Sequence, residues 1–131
     1  MYCLDTNFLI DYLDEERAAS EDAKALLEAN PDREYRIPSV AFFEVLRGGA
    51  RLRGAAGVAD LIEQLDWGDH LPLTPLSARE AALIDGELTS AGQQINLGDV
   101  LIAGIVREAN GTIVTRDSHF EHVPDLAVKT Y

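Results

Sequence analysis

Four carboxylates stand where the surrounding sequence is apolar. Asp5 follows directly on the run Tyr2-Cys3-Leu4 and opens the polar triplet Asp5-Thr6-Asn7. Glu44 interrupts the stretch Val40-Ala41-Phe42-Phe43-Glu44-Val45-Leu46. Asp99 comes just before Val100-Leu101-Ile102-Ala103, and Asp117 just after Thr112-Ile113-Val114-Thr115. Spacing permits these acids to share a pocket without requiring it. Where they do share one, a counter-charge is needed. Two carboxylates about 5 Å apart at an effective dielectric of about 20 repel by roughly 3 kcal/mol, and three by on the order of 10 kcal/mol. Protonation or a cation must relieve that repulsion. An all-carboxylate donor set suits the hard ions Mg²⁺ and Mn²⁺, and no histidine or cysteine pattern points to zinc. Such an ion lowers the pKa of a bound water and stabilises charge developing on a phosphodiester. Metal-dependent phosphodiester hydrolysis is the chemistry this set would do.

The elements that must carry the four acids alternate between strand and helix. Tyr2 to Leu4 reads as a buried strand running into a helix with apolar Phe8, Leu9, Tyr12 and Leu13 at helical spacing. Any one of Asp5, Thr6 and Asn7 would serve as that helix's cap, and capping uses only one. Ser20 to Asn30 reads as a helix ended by Asn30-Pro31, and Tyr35 to Pro38 as a second strand. Ser39 opens the helix that holds Glu44, and Gly48-Gly49 is expected to weaken or bend it. Gly54 to Leu65 continues as helix. Trp67 to His70 is expected to be a turn, with Trp67 and His70 as packing or surface residues, and Leu71 to Leu73 a third strand. A helix from Ser77 to about Ala91 precedes the loop Gly92 to Gly98. Asp99 then lies in the first turn of a helix that is apolar nearly all round and therefore buried. Thr112 to Thr115 and Leu126 to Lys129 complete the strands. This alternation argues for one α/β domain over residues 1–131 with a mainly parallel sheet. In such sheets the carboxyl ends of strands line the ligand crevice, which is where Asp5 and Asp117 fall.

The bulk composition sets limits. The chain has 131 residues, 47% of them hydrophobic and 26% charged, which is ordinary for a soluble globular domain. No apolar run approaches the roughly 20 residues needed to span a bilayer. The first residues lack the pattern of a signal peptide, and a cytoplasmic protein without membrane attachment is expected. Cys3 is the only cysteine, so no internal disulfide forms, and its apolar neighbours make it a core residue. The net charge is −12, and Lys24 and Lys129 are the only lysines. A carboxylate-rich, lysine-poor surface fits adaptation to high intracellular salt, against the plainer reading of a merely acidic protein.

Leu4-Asp5-Thr6-Asn7, Phe43-Glu44-Val45-Leu46-Arg47-Gly48, Leu97-Gly98-Asp99-Val100-Leu101-Ile102-Ala103 and Thr115-Arg116-Asp117-Ser118-His119-Phe120 occur in an order that resembles the PIN-domain ribonucleases, most of all the VapC-type toxins of toxin–antitoxin pairs. The likeness covers essentially the whole chain. Each motif is weak alone and the set is specific. The resemblance implies a three-layer α/β/α sandwich that commonly dimerises. It implies that Asp5, Glu44, Asp99 and Asp117 hold one or two Mg²⁺ or Mn²⁺ ions, Asp5 and Asp99 directly, Glu44 and Asp117 directly or through water. The family's last motif often has Asn where this chain has Asp117. Thr6, Asn7 and Thr115 match supporting polar positions, with Thr115 expected to hydrogen-bond Asp5. Arg47, Arg51, Arg116 and His119 are candidate contacts to RNA phosphate, each weighed against a plain surface role. The implied reaction is attack of a metal-activated water on single-stranded or looped RNA, without a covalent intermediate. An antitoxin protein is the implied partner, seated in an apolar groove near Val40 to Leu65 and reaching an arginine into the acids.

Acidity opposes RNA binding, since phosphate contacts favour basic proteins. Bound metal inverts the local charge, and at molar salt a Debye length of about 3 Å removes long-range repulsion. A non-catalytic PIN-like module that binds RNA or protein is the main alternative, and it predicts loss of one of the four acids, all of which are present. A receiver-type signalling domain would need an acidic pair, and a phosphatase an acid at position 7, where this chain has Asn7.

Overall fold

A computed structural model describes residues 1–131. Five strands form one sheet: β1 (Tyr2–Leu4), β2 (Tyr35–Pro38), β3 (Asp69–Leu71), β4 (Thr112–Val114) and β5 (Ala127–Lys129), in the order β3-β2-β1-β4-β5 and all parallel. Between them run α1 (Thr6–Leu13), α2 (Ser20–Ala29), α3 (Ser39–Gln64), α4 (Pro75–Ser90) and α5 (Leu97–Glu108). Connections β1 to β2 and β2 to β3 step one way along the sheet. The return to β4 steps the other way. Right-handed crossovers therefore put α1, α2 and α3 on one face and α4 and α5 on the other, which makes the three-layer sandwich. The strand order reverses between β1 and β4, and ligand crevices of open parallel sheets lie at such a reversal.

β1 is the central strand and is buried throughout. Its Cys3 and Leu4 join Phe8, Leu9, Ile37, Ile113 and Val114 in the main core. Burial pushes the Cys3 thiol up to about 12, so it packs as a small apolar residue. Six of the twelve residues of α5 are buried. α5 lies so close to α4 that a Cβ on Gly104 would come within 2.6 Å of the Ala81 methyl.

α5 begins at Leu97, inside the expected loop Gly92 to Gly98, and three further features differ from the sequence reading. Gly48-Gly49 lies inside a continuous helix, and α3 breaks instead at Gly54 (φ 60°, ψ −144°). Gly49 is needed for contact: a Cβ there would strike Leu61 at 2.4 Å, and one on Gly57 would strike the Gly49 carbonyl at 2.5 Å. The two arms of α3 thus approach backbone to backbone. β3 lies at Asp69–Leu71 because Arg36, Ile37 and Pro38 pair with Asp69, His70 and Leu71. His70 is therefore a strand residue, its ring 4.6 Å from that of Phe42, while Trp67 packs on Tyr12 at 5.4 Å. α4 begins two residues early because Thr74 and Ser77 cap it reciprocally with Pro75 at the first position.

Candidate metal centre

The carboxyl end of β1 delivers Asp5 into the interior, where it is 2% exposed. Its backbone is extended, so it caps α1: Oδ1 accepts from the Phe8 amide at 2.7 Å. Oδ2 accepts from the Thr115 hydroxyl at 2.5 Å. One carboxylate therefore serves both as cap and as a member of the acid group. Thr115 follows β4, the neighbour of β1, and its Oγ1 also accepts from the Asp117 amide at 3.0 Å. Asp5 and Asp117 are thus joined through a single hydroxyl.

The other two acids come from helices on opposite faces of the sheet. Asp99 sits in the first turn of α5, which Asn96 caps: the Asn96 side chain accepts from the Asp99 amide at 3.0 Å and donates to Asp99 Oδ2 at 2.8 Å. Glu44, on α3, takes a 2.8 Å hydrogen bond from the Thr6 hydroxyl. Its carboxylate lies over Gly98, where an added Cβ would stand 2.9 Å from Oε2. Glycine at 98 makes room for Glu44 beside the start of α5.

His119 joins the acids. Its Nε2 is 2.7 Å from Asp99 Oδ2, and its Nδ1 is 2.8 Å from Asp117 Oδ1. Ligand atoms from Asp99, Asp117 and His119 fall within 4.8 Å of one another. On the sequence His119 is a candidate RNA-phosphate contact weighed against a surface role; in the fold both its ring nitrogens are engaged by carboxylates. Arg116 is likewise redirected. Its guanidinium grips Asp11 through Nε (2.7 Å) and Nη2 (3.3 Å). Of the other predicted residues, Asn7 is half-buried, Arg51 is exposed, and Arg47 lies over the Phe43 ring with Nη2 4.0 Å from Glu44. Arg53, from the same basic run, pairs with Asp60 at 2.6 Å.

Burial, with smaller contributions from Asp99 and Asp117, pushes the Asp5 carboxyl up from 3.8 to about 6, although Thr115 and the Phe8 amide pull the other way. No lysine or arginine pairs with Asp5, Asp99 or Asp117. A buried acid in this state fits a site completed by a cation. The donor set, four carboxylates with one imidazole alongside, suits Mg²⁺ or Mn²⁺. Asp99, Asp117 and His119 are close enough to share an ion, with Asp5 tied to Asp117 through Thr115 and Glu44 hydrogen-bonded to Thr6 beside them. Gly98→Ala is expected to push the Glu44 carboxylate aside and weaken Mn²⁺ binding roughly 10- to 100-fold, the usual cost of disturbing a ligand's support. Calorimetric titration with Mn²⁺ checks this. Circular dichroism should be unchanged, because the clashing atoms are the mobile end of a side chain.

Asn96 and Asp11 were missed by the sequence reading. Asn96 had been placed in a loop, though Asn three residues before an acid at a helix start is a capping signal. Asp11 lies in the apolar run of α1 and is fully buried. Burial alone would raise its pKa, but Arg116, Tyr131 and Arg17, all hydrogen-bonded to it, hold it below the usual carboxylate range.

Residues 2–126 match the family model of the PIN domain. No curated protein matches the chain. Among solved structures it is similar to a chain of VapBC2 from Rickettsia felis bound to a DNA fragment from their promoter, at 21% identity over 98% of this chain and 97% of that one, with a TM-score of 0.83. It is similar to a chain of FitAcB from Neisseria gonorrhoeae at 25% identity over 98% and 96%, TM-score 0.81. With VapC20 of Mycobacterium tuberculosis, described as a sarcin–ricin loop cleaving toxin, the identity is 13% over 97% and 99%, TM-score 0.71.

Proposed function

The chain belongs to the PIN domain family, and from that premise we propose that it is a Mg²⁺- or Mn²⁺-dependent endoribonuclease, the VapC-type toxin of a toxin–antitoxin pair. One observation carries the reading: Asp5 is buried without an ion-pair partner and tied through Thr115 to Asp117. A protein that only needed a helix cap would not bury an uncompensated acid beside others.

In this reading Asp5 and Asp99 are the direct ligands, with Asp117 and Glu44 completing the site. A bound ion supplies Lewis acidity towards the phosphodiester and a water of lowered pKa. The chain's own part is positioning. Thr115 fixes the rotamer of Asp5, Asn96 that of Asp99, and Thr6 that of Glu44. Asn7 and the exposed Arg47 and Arg51 flank these elements. The two arginines are the basic side chains we assign to RNA phosphate on an otherwise acidic protein. RNA is the substrate class in keeping with VapC20, the neighbour described as cleaving the sarcin–ricin loop.

The antitoxin reading is supported by an open groove of about 390 Å³ between α1 and the broken α3, lined by Ile10, Leu13, Val45 and Leu61. Leu52, also on this groove, is 86% exposed, as expected of a surface awaiting an apolar partner. No helix is long and apolar enough to cross a membrane. We take the setting to be cytoplasmic, the assembly a homodimer, and the lysine-poor surface an adaptation to high salt.

The test is cleavage of a structured RNA by the purified protein. Fragments should appear with Mn²⁺ or Mg²⁺ and cease on adding EDTA. Undiminished cleavage in EDTA would overturn the metal mechanism, and intact RNA under every metal condition would overturn the nuclease.

A further inference from the structure

Asp11 has no place in the chemistry just described, yet it is the most heavily engaged carboxylate in the protein. It is fully buried. Its Oδ1 accepts from Arg17 Nε at 2.7 Å and its Oδ2 from Arg116 Nε at 2.7 Å and the Tyr131 hydroxyl at 2.6 Å. Asp11 is buried while Arg116 and Arg17 stay partly exposed, so the cost of desolvating the carboxylate and the screening at the arginines cancel much of the attraction. What it does supply is geometry, above all when an arginine binds through two of its nitrogens, as Arg116 does.

The position of Arg116 gives that geometry a use. It stands between Thr115, which holds Asp5, and Asp117, which meets His119. Asp11 lies on α1, the same helix that Asp5 caps. The segment after β4 is therefore pinned to α1 at two points, Thr115 to Asp5 and Arg116 to Asp11, and Asp117 is the next residue along. The geometry points to Asp11 and Arg116 as positioning residues that hold the Thr115–Asp117 segment in register with α1, so that Asp5 and Asp117 face one ion. This rests on the nuclease reading for its consequence in catalysis, but not for the placement of the segment.

Arg17 makes the experiment decisive. It pairs with the same carboxylate at the same 2.7 Å, yet it belongs to the turn after α1 and touches none of the site acids. Arg116→Gln and Arg17→Gln should both lower the melting temperature. Only Arg116→Gln should weaken Mn²⁺ binding, by roughly 10- to 100-fold, with Arg17→Gln staying within about twofold of the parent. The sign is informative, because removing a cation near an acidic site would by charge alone tighten Mn²⁺ binding. Arg116→Lys keeps the charge but not the two-pronged grip and should bind Mn²⁺ as weakly as Arg116→Gln. It also serves if the glutamine variant does not fold. The companion readout is hydrogen exchange at the Asp117 amide, which should lose protection in the Arg116 variants and keep it in Arg17→Gln. Equal Mn²⁺ affinity and equal amide protection in the Arg116 and Arg17 variants would overturn the proposal. A parent protein that binds no Mn²⁺ and cuts no RNA would instead defeat the nuclease reading, and amide exchange would still decide whether Arg116 places the segment.

Discussion

Asp5→Asn is expected to reduce RNA cleavage on the order of 10³-fold or more while the protein stays folded. A metal's stabilisation of transition-state charge is worth several kcal/mol, and each 1.36 kcal/mol is about tenfold in rate, so about 4 kcal/mol corresponds to that loss. The substitution is nearly isosteric. The Asn carbonyl oxygen can keep the 2.7 Å bond from the Phe8 amide that starts α1, and its NH₂ can donate to the Thr115 hydroxyl oxygen. The charge disappears and the Thr115 bond reverses direction, while the cap of α1 is kept. Asp99→Asn should behave alike, because the Asn96 cap accepts from the backbone amide of residue 99 and not from its side chain. Single-turnover cleavage at saturating Mn²⁺, with circular dichroism as the control for folding, checks both. Cleavage within tenfold of the parent in either variant would remove that residue from the ligand set.

The second large effect concerns stability and pH in the metal-free protein. The Asp5 carboxyl titrates at about 6 in the folded chain against an ordinary 3.8. Between those values the folded state binds the proton and the unfolded state has released it, so the contribution of Asp5 to stability falls as pH rises. It is fully present below about 3.8 and lost as pH passes through 6, a change of about 3 kcal/mol for this one residue. Asp11 has the opposite sign, since its folded-state pKa is held low and its contribution is lost on acidification. The comparison that isolates Asp5 is therefore Asp5→Asn against the parent. In EDTA the variant's advantage in urea unfolding should grow from pH 4 to pH 7.5. At pH 7.5, Mn²⁺ at a given concentration should raise the parent's stability by more than the variant's. A stability difference that does not vary with pH would show that Asp5 is ionised at no cost.

Much of the site was legible because an acid in an apolar context is conspicuous. Glu44 interrupts an apolar run, Asp5 and Asp117 follow one and Asp99 precedes one, and each carboxylate meets a polar side chain of the chain. The same rule applied to Phe8-Leu9-Ile10-Asp11-Tyr12 marks Asp11 as well. The fate of Arg116 and His119 was not legible. Next to acids in a motif, a basic side chain reads equally as a substrate contact or a surface residue, and only the fold shows whether a nearby carboxylate engages it. The break in α3 eluded the pattern for a related reason. Glycine marks either a bend or a close approach, and nothing local separates Gly49, which lets two backbones touch, from Gly54, which turns the chain.

The strand order has a bearing on biosynthesis. Because the reversal lies between β1 and β4, the hydroxyl that orients Asp5 is supplied 110 positions later, by Thr115. A nascent chain still short of that residue owns Asp5, Glu44 and Asp99 but nothing that joins them to a fourth acid. On the proposed reading, the pocket is thus finished only when the two distant ends of the fold have met, since Thr115 is what links Asp5 to Asp117.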